Sequence, residues 1–418
     1  MDIQKKGNCN SMFLAVVGAA LALTASSACP ADTDTAARVL MATYGRDATV
    51  EIAQADTVVE SLEAVMADCS DDYLLSRIKY RIGVIYFKSN LLNEAKGRFL
   101  KLSGDPKCAE LIRVCSLNMA GQISRMEGDN EAALDAFGKM VRLCSEQLSG
   151  AEGKSAFAKL RCAAMFGIGE IHELEQDFGP SIAQYTALLE AIPQIKAKET
   201  SNLAALVHDR ISQQHLRQGQ IDKYLEQAQE LIRRHPGYYR TPVVEYETEC
   251  VKLLRGRPGS PEFTNGSYVA PAEVVASLKD PNSGITLQQL SGRLGNLCEE
   301  HKDTYGGILL RYHYAWVLDA LGEKTRAAQM LEQIASGNVS TQGGGSLPQG
   351  VLDTLQEYSK IQFAILAAES ADYGKAIRML STLRTHAEKS HISTLLLSVN
   401  QSIETLRREV PTNENKKE

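Results

Sequence analysis

The chain has 418 residues, 44% hydrophobic and 23% charged, with a formal net charge of -6. That length exceeds what one hydrophobic core organises, and calls for two or three domains or an extended repeat array. No cluster of Lys and Arg occurs beyond the Lys416–Lys417 tail, which excludes a nucleic-acid surface as the principal activity.

In chain order, the first expected element is an export signal. Lys5 and Lys6 precede an uncharged apolar run, Met12 to Thr24, that is too short to span a bilayer. Ala25-Ser26-Ser27-Ala28 then supplies small residues suited to a signal peptidase, so 1–28 reads as a signal peptide; the alternative is a buried N-terminal helix. The expected location is the periplasm or cell envelope. Cys29 follows directly. It is either the lipidated first residue of a bacterial lipoprotein, with Ser26 making the lipobox a relaxed one, or a plain cysteine after cleavage at Ala28. Such a lipid would be the only membrane attachment, since no other stretch is long and apolar enough to span.

Cleavage would remove Cys9 and leave Cys29, Cys69, Cys108, Cys115, Cys144, Cys162, Cys250 and Cys298. Export permits disulfides, and Cys144 with Cys162 is a candidate inter-helix bridge. Cys108 and Cys115 share a helix face but stand about 10 Å apart along the axis, too far to bridge. No CxxC pair supports a zinc or thioredoxin site. Buried small hydrophobes are the simplest reading of most of these thiols.

From residue 69 the apolar pattern is helical and repeats. Gly83 is followed twelve residues later by Ala95 and four later by Phe99. The same frame carries Gly121, Ala133 and Phe137, then Gly169, Ser181 and Tyr185, then Ser212, Tyr224 and Ala228. It returns as Ala315, Ala327 and Leu331, and as Ala364, Ala376 and Leu380. Small residues on two successive helices let them approach, and the bulky residue one turn on fills the adjoining groove. Polar turns such as Glu127-Gly128-Asp129 and Leu321-Gly322-Glu323 suit a left-handed residue, and Pro193 and Pro236 stop second helices.

On these residues the chain resembles the tetratricopeptide repeat (TPR) family. Tyr86 stands three after the first Gly, and Pro193 and Pro236 close the third and fourth copies as in that family. The departures are steps of 38, 48 and 43 residues between the first four anchors, no signature Trp in the first helices, and Tyr224 where Ala is usual. That last substitution requires a splayed or otherwise adjusted fourth hairpin. The implied fold is all-α: a right-handed superhelical solenoid of TPR-like helical hairpins, which a breaker-rich stretch could divide into two lobes.

The organisation follows. Residues 29–68 form a helical cap, 69–255 four hairpins, and 256–286 a linker or loop rich in Pro and Gly. Residues 287–410 form a second helical region, interrupted by a Gly-rich excursion between 336 and 350, and 411–418 a disordered tail. Helices are expected over Pro242 to Leu254 and His391 to Arg408.

No catalytic constellation appears. His172-Glu173 lacks a second His at metalloprotease spacing. His386 and His391 do not share a helix face, and Gly167-Ile168-Gly169 lies within a helix without a dinucleotide loop's third glycine. No cofactor, metal or catalytic residue is assigned, and the chain is read as a non-enzyme.

In stacked hairpins the first helices line one face, where a partner would lie. Counting from the anchors puts Tyr80 and Phe87 on it in the first copy and Asn118, Gln122 and Arg125 in the second. Glu170 and Glu173 follow in the third, and Asp209 and Gln213 in the fourth. The face is polar and turns acidic toward the third and fourth copies. The expected function is an exported scaffold or adaptor binding a protein or peptide. One alternative is a carbohydrate- or lipid-binding accessory protein using Tyr312 and Trp316; another is an enzyme with an unrecognised site.

Overall fold

The computed structural model describes residues 52–67, 69, 71–148, 154–194, 200–254, 287–337, 349–389 and 393–409. The expected signal peptide, Cys29, the 256–286 stretch, the body of the Gly-rich excursion and the C-terminal tail lie outside these residues. The described residues form sixteen α-helices and one 3-10 turn, with no strand among them. None of these helices is long and apolar enough to cross a membrane.

A first helix, α1 (Ile52–Ala67), precedes the repeat. Three hairpins follow: α2 (Asp72–Lys88) with α3 (Leu92–Gly104), α4 (Glu110–Glu127) with α5 (Asn130–Leu148), and α6 (Lys154–Leu174) with α7 (Phe178–Ala191). Next come α8 (Thr200–Arg217), α9 (Ile221–Arg234), α10 (Thr241–Leu254) and α11 (Leu287–Glu300). The chain continues with α12 (Tyr305–Ala320) and α13 (Lys324–Ala335), α14 (Gln349–Glu369) and α15 (Tyr373–Lys389), and α16 (Ser393–Glu409). All six repeat copies thus fall on helix pairs in the expected register. Pro193 sits in the 3-10 turn that ends α7, and Pro236 lies just past α9.

The anchors work by contact. A Cβ on Gly83 would come within 2.7 Å of the Phe99 ring, one on Gly121 within 2.7 Å of Phe137, and one on Gly169 within 2.5 Å of Tyr185. Each aromatic ring lies flush on the backbone of its partner helix, so any side chain there would displace it. Phe137 reaches further: a Cβ on Gly167 would stand 2.9 Å from it, so one ring seals α5 against both α4 and α6. Phe99, Phe137 and Tyr185 are fully buried, as are Tyr224 and Ala228 in the fourth copy.

The turn inside each hairpin is equally regular. A left-handed residue stands seven positions after every anchor: Asn90, Gly128, Gln176, Gly219, Gly322 and Ala371, with φ between 58° and 81°. The next N–H reaches back five residues, as in Leu91 N to Tyr86 O at 2.9 Å, Asp129 N to Ser124 O at 2.9 Å and Asp372 N to Ala367 O at 2.8 Å. This is the Schellman closure, which satisfies helix-end carbonyls.

By internal contacts the chain divides at Gln214 and His215, inside α8. In the amino-terminal unit, α1 packs through Val58, Val59 and Leu62 on Leu74, Ile78 and Ile82 of α2, as an end cap would. A continuous core then runs from Tyr80 and Phe99 through Ile112, Phe137 and Met140 to Leu160 and Ile171, and a second joins Phe166, Tyr185 and Leu188 to Val207 and Ile211. In the carboxy-terminal unit, α12, α13 and α14 meet at Ile308, Ile334 and Leu355. Gly306 lets α12 approach the first turn of α10 and the loop before it: a Cβ there would stand 2.6 Å from Pro242 and 2.8 Å from the Tyr239 carbonyl.

The seven cysteines among the described residues are all free thiols, six of them buried, so Cys144 and Cys162 form no bridge. Burial pushes Cys115, Cys144, Cys250 and Cys298 up to about 12, and Cys162 to about 11.

Candidate functional site: a polar face of the first helices

In the amino-terminal unit the polar residues singled out on α4, α6 and α8 occupy equivalent places: three before the anchor, one after and four after. Helical periodicity puts these on one stripe. The structure brings four of them together. The Arg125 guanidinium forms an ion pair with Glu170 and donates from Nη2 to Gln122 Oε1 at 3.0 Å. Arg210 of α8 stands 4.0 Å from the other oxygen of Glu170 and 3.1 Å from Glu173. Glu173 also accepts from the Tyr185 hydroxyl at 3.3 Å and from Gln214 Nε2 at 3.4 Å. Gln214 donates in turn to Ser181 Oγ at 2.9 Å, and that hydroxyl donates to the Gly169 carbonyl at 2.7 Å.

This network threads α4, α6, α7 and α8 together. Its carboxylates are only 7% and 9% exposed, so each charge relies on its partners, and removing one would strand the others. Burial, ahead of the neighbouring charges, raises the Tyr185 hydroxyl well above its ordinary value and keeps it a donor. The acidic character expected of the third copy is therefore neutralised locally by Arg125 and Arg210.

Two polar atoms on the same stripe stay unspent. Asn118 is 1% exposed and Gln122 7%, yet among the described residues Asn118 Oδ1 and Gln122 Nε2 meet no hydrogen-bond partner. They sit four residues apart on one face of α4. Asp209 and Gln213, on α8, are likewise buried. At the first copy the stripe turns apolar. Tyr80 is buried with its ring 5.3 Å from that of Phe99, and Phe87 packs half-buried against the core, so these two belong to the interior rather than to the polar cluster. Sequence reasoning missed Arg210 and Gln214, which stand two before and two after their anchor, between the counted positions. Two carboxylates three residues apart on α6 were the available signal, since buried charges call for cations on flanking helices.

Tyr312 and Trp316 lie on α12 of the other unit, both half-buried. Among the described residues no group of three or more His, Cys, Asp or Glu is placed to hold a metal ion.

Fold and site together define an all-α protein of TPR-like helical hairpins with a polar stripe on its first helices. The chain is similar to a tetratricopeptide repeat protein from Parabacteroides merdae, at 14% identity over 78% of this chain and 98% of that one, with a TM-score of 0.39. It is also similar to RapI in its apo form, at 12% identity over 71% of this chain and 100% of that one, TM-score 0.38. A third similar structure is the apo quorum sensor NprR from B. thuringiensis, at 12% identity over 90% and 97%, TM-score 0.38. No protein-family model matches the chain, and no curated protein does.

Proposed function

We propose that this protein is a scaffold or adaptor that binds a protein or peptide along the first-helix stripe of its amino-terminal unit, and that it works in the cell envelope after export. The observation carrying the binding reading is the unspent pair on α4. A buried acceptor and a buried donor without partners cost stability unless a ligand completes them. Asn118 Oδ1 and Gln122 Nε2 together offer what a peptide unit requires, an acceptor for its N–H and a donor for its carbonyl. The Arg125, Glu170, Arg210 and Glu173 network beside them is internally satisfied, so it supplies rigidity and leaves recognition to the amides. The export reading rests on the first 28 residues, with Cys29 as the candidate lipid anchor.

The test compares affinity capture from envelope fractions by the parent chain and by the Asn118→Leu variant, which leaves Gln122 on Arg125. Asn118 Oδ1 has no partner to strand among the described residues, so an apolar group of similar shape there leaves stability nearly unchanged. A partner protein should be enriched by the parent and lost from the variant at equal melting temperature. Equal capture by both, or retention of a glycan in place of any protein, would sink the reading. Cys29→Ser followed by cell fractionation tests the anchor, and unchanged membrane association would remove it.

A further inference from the structure

A cavity of about 600 Å³ opens in the amino-terminal unit between α3 and α5, the second helices of the first two hairpins, with α4 as its floor. Its α4 residues, such as Leu117 and Ala120, lie roughly 150° around that helix from Asn118 and Gln122, at 100° per residue. The groove is therefore a different surface from the polar stripe, and nothing in the proposed function uses it.

Its floor and walls are apolar, through Leu117, Ala136, Leu143 and Leu100. Leu100 is 47% exposed, a large side chain that the fold leaves in water. The small side chains Ala120, Ala132 and Ala136 create the depth. The rim is cationic: it carries four Lys and Arg against two carboxylates, in a chain whose formal net charge is -6.

Not all of this charge is available. Lys96 is held by Glu127 at 2.9 Å and Asp129 at 3.4 Å, and Lys139 by Asp135 at 2.6 Å. Arg113 spends only its Nε–H, on the Ser103 carbonyl at 3.0 Å, and Arg142 is exposed with no partner among the described residues. The uncommitted charge of the groove is thus two guanidiniums, on α4 and α5, flanking an apolar trough.

We propose that this groove docks an acidic amphipathic helix of a partner protein, its apolar stripe over Leu100, Leu117 and Leu143 and its carboxylates on Arg113 and Arg142. Amphipathic helices seat their apolar faces in troughs of this kind, and the planar guanidinium fork suits carboxylates. Complementary charge selects the occupant. A second copy of the chain docking by the same patch would bring cation against cation.

The experiment uses the full chain and three fluorescein-labelled peptides of one length, read by anisotropy: a helix with a Leu stripe and Glu flanks, the same stripe with Lys flanks, and the Glu peptide with its Leu residues changed to Ala. The acidic amphipathic peptide should bind with a dissociation constant of order 10–100 µM, and the other two at least about tenfold more weakly. Leu100→Ser and Arg142→Glu, both on exposed side chains, should each weaken it about tenfold without changing the melting temperature. Binding should also fall as salt rises. No binding of the acidic peptide, equal binding of the Lys peptide, or indifference to both substitutions would overturn the proposal. So would laurate occupying the groove in its place, or a sedimentation shift showing that Leu100→Ser breaks a dimer.

Discussion

Ala371 and Gln176 hold a backbone conformation that costs an L-residue roughly 1–2 kcal/mol. They do so because the Schellman closure of each hairpin demands it seven residues after the anchor, whatever side chain the sequence supplies. Glycine would remove that strain while adding less than about 1 kcal/mol of unfolded-chain entropy. Ala371→Gly should therefore stabilise the protein by about 1 kcal/mol, seen as a melting temperature about 2–4 °C higher. Gly322→Ala, at the equivalent turn, should lower it by a similar amount. A neutral result at both positions would show that the closure does not constrain the turn. Glycines marked this turn in the sequence at 128, 219 and 322; at Asn90, Gln176 and Ala371 it became visible only through the frame, because tertiary pairing of the helices overrides local preference.

At the scale of the element, the unit of construction is one aromatic ring pressed on one glycine. Gly121→Ala would force Phe137 aside, and Phe137 is also lodged against Gly167, so there is little room to yield. The substitution should cost about 1–3 kcal/mol by overpacking. Phe137→Leu in the same chain should restore part of that loss, so denaturant titrations of the two single variants and the double variant should reveal favourable coupling. Additive effects would mean that ring and glycine do not share a site. This contact was legible from spacing alone, because small and bulky residues sixteen apart have one geometric solution in a helical hairpin. The polar stripe was legible in place but not in kind. Periodicity put Glu170 and Glu173 on the right face, yet the burial of both, and their pairing with Arg125 and Arg210, depend on neighbouring hairpins whose spacing departs from 34 residues.

For the whole molecule, acid acts on the carboxy-terminal unit through a buried imidazole. In the carboxy-terminal unit His313 stands 5.5 Å, edge to face, from Tyr246, and burial, reinforced by the Arg240 charge, pushes its imidazole down to about 3. An unfolded histidine titrates near 6.5. Between those values the unfolded chain binds a proton that the folded one refuses, so stability falls as pH falls, by up to ~1.4 kcal/mol per pH unit. Melting temperature should drop on going from pH 7 to pH 5, and His313→Gln should shrink that drop; equal drops in both proteins would exclude His313 as the cause.

The buried thiols have a further use. Alkylating reagents attack thiolates, and burial leaves almost none at neutral pH. Cys115, Cys144 and Cys162 lie in one unit, and Cys250 and Cys298 in the other. Each unit thus carries native chemical clocks that start only when its own helices part. The order in which these sites are modified, read by mass spectrometry, times the breathing of each half without a probe site being engineered.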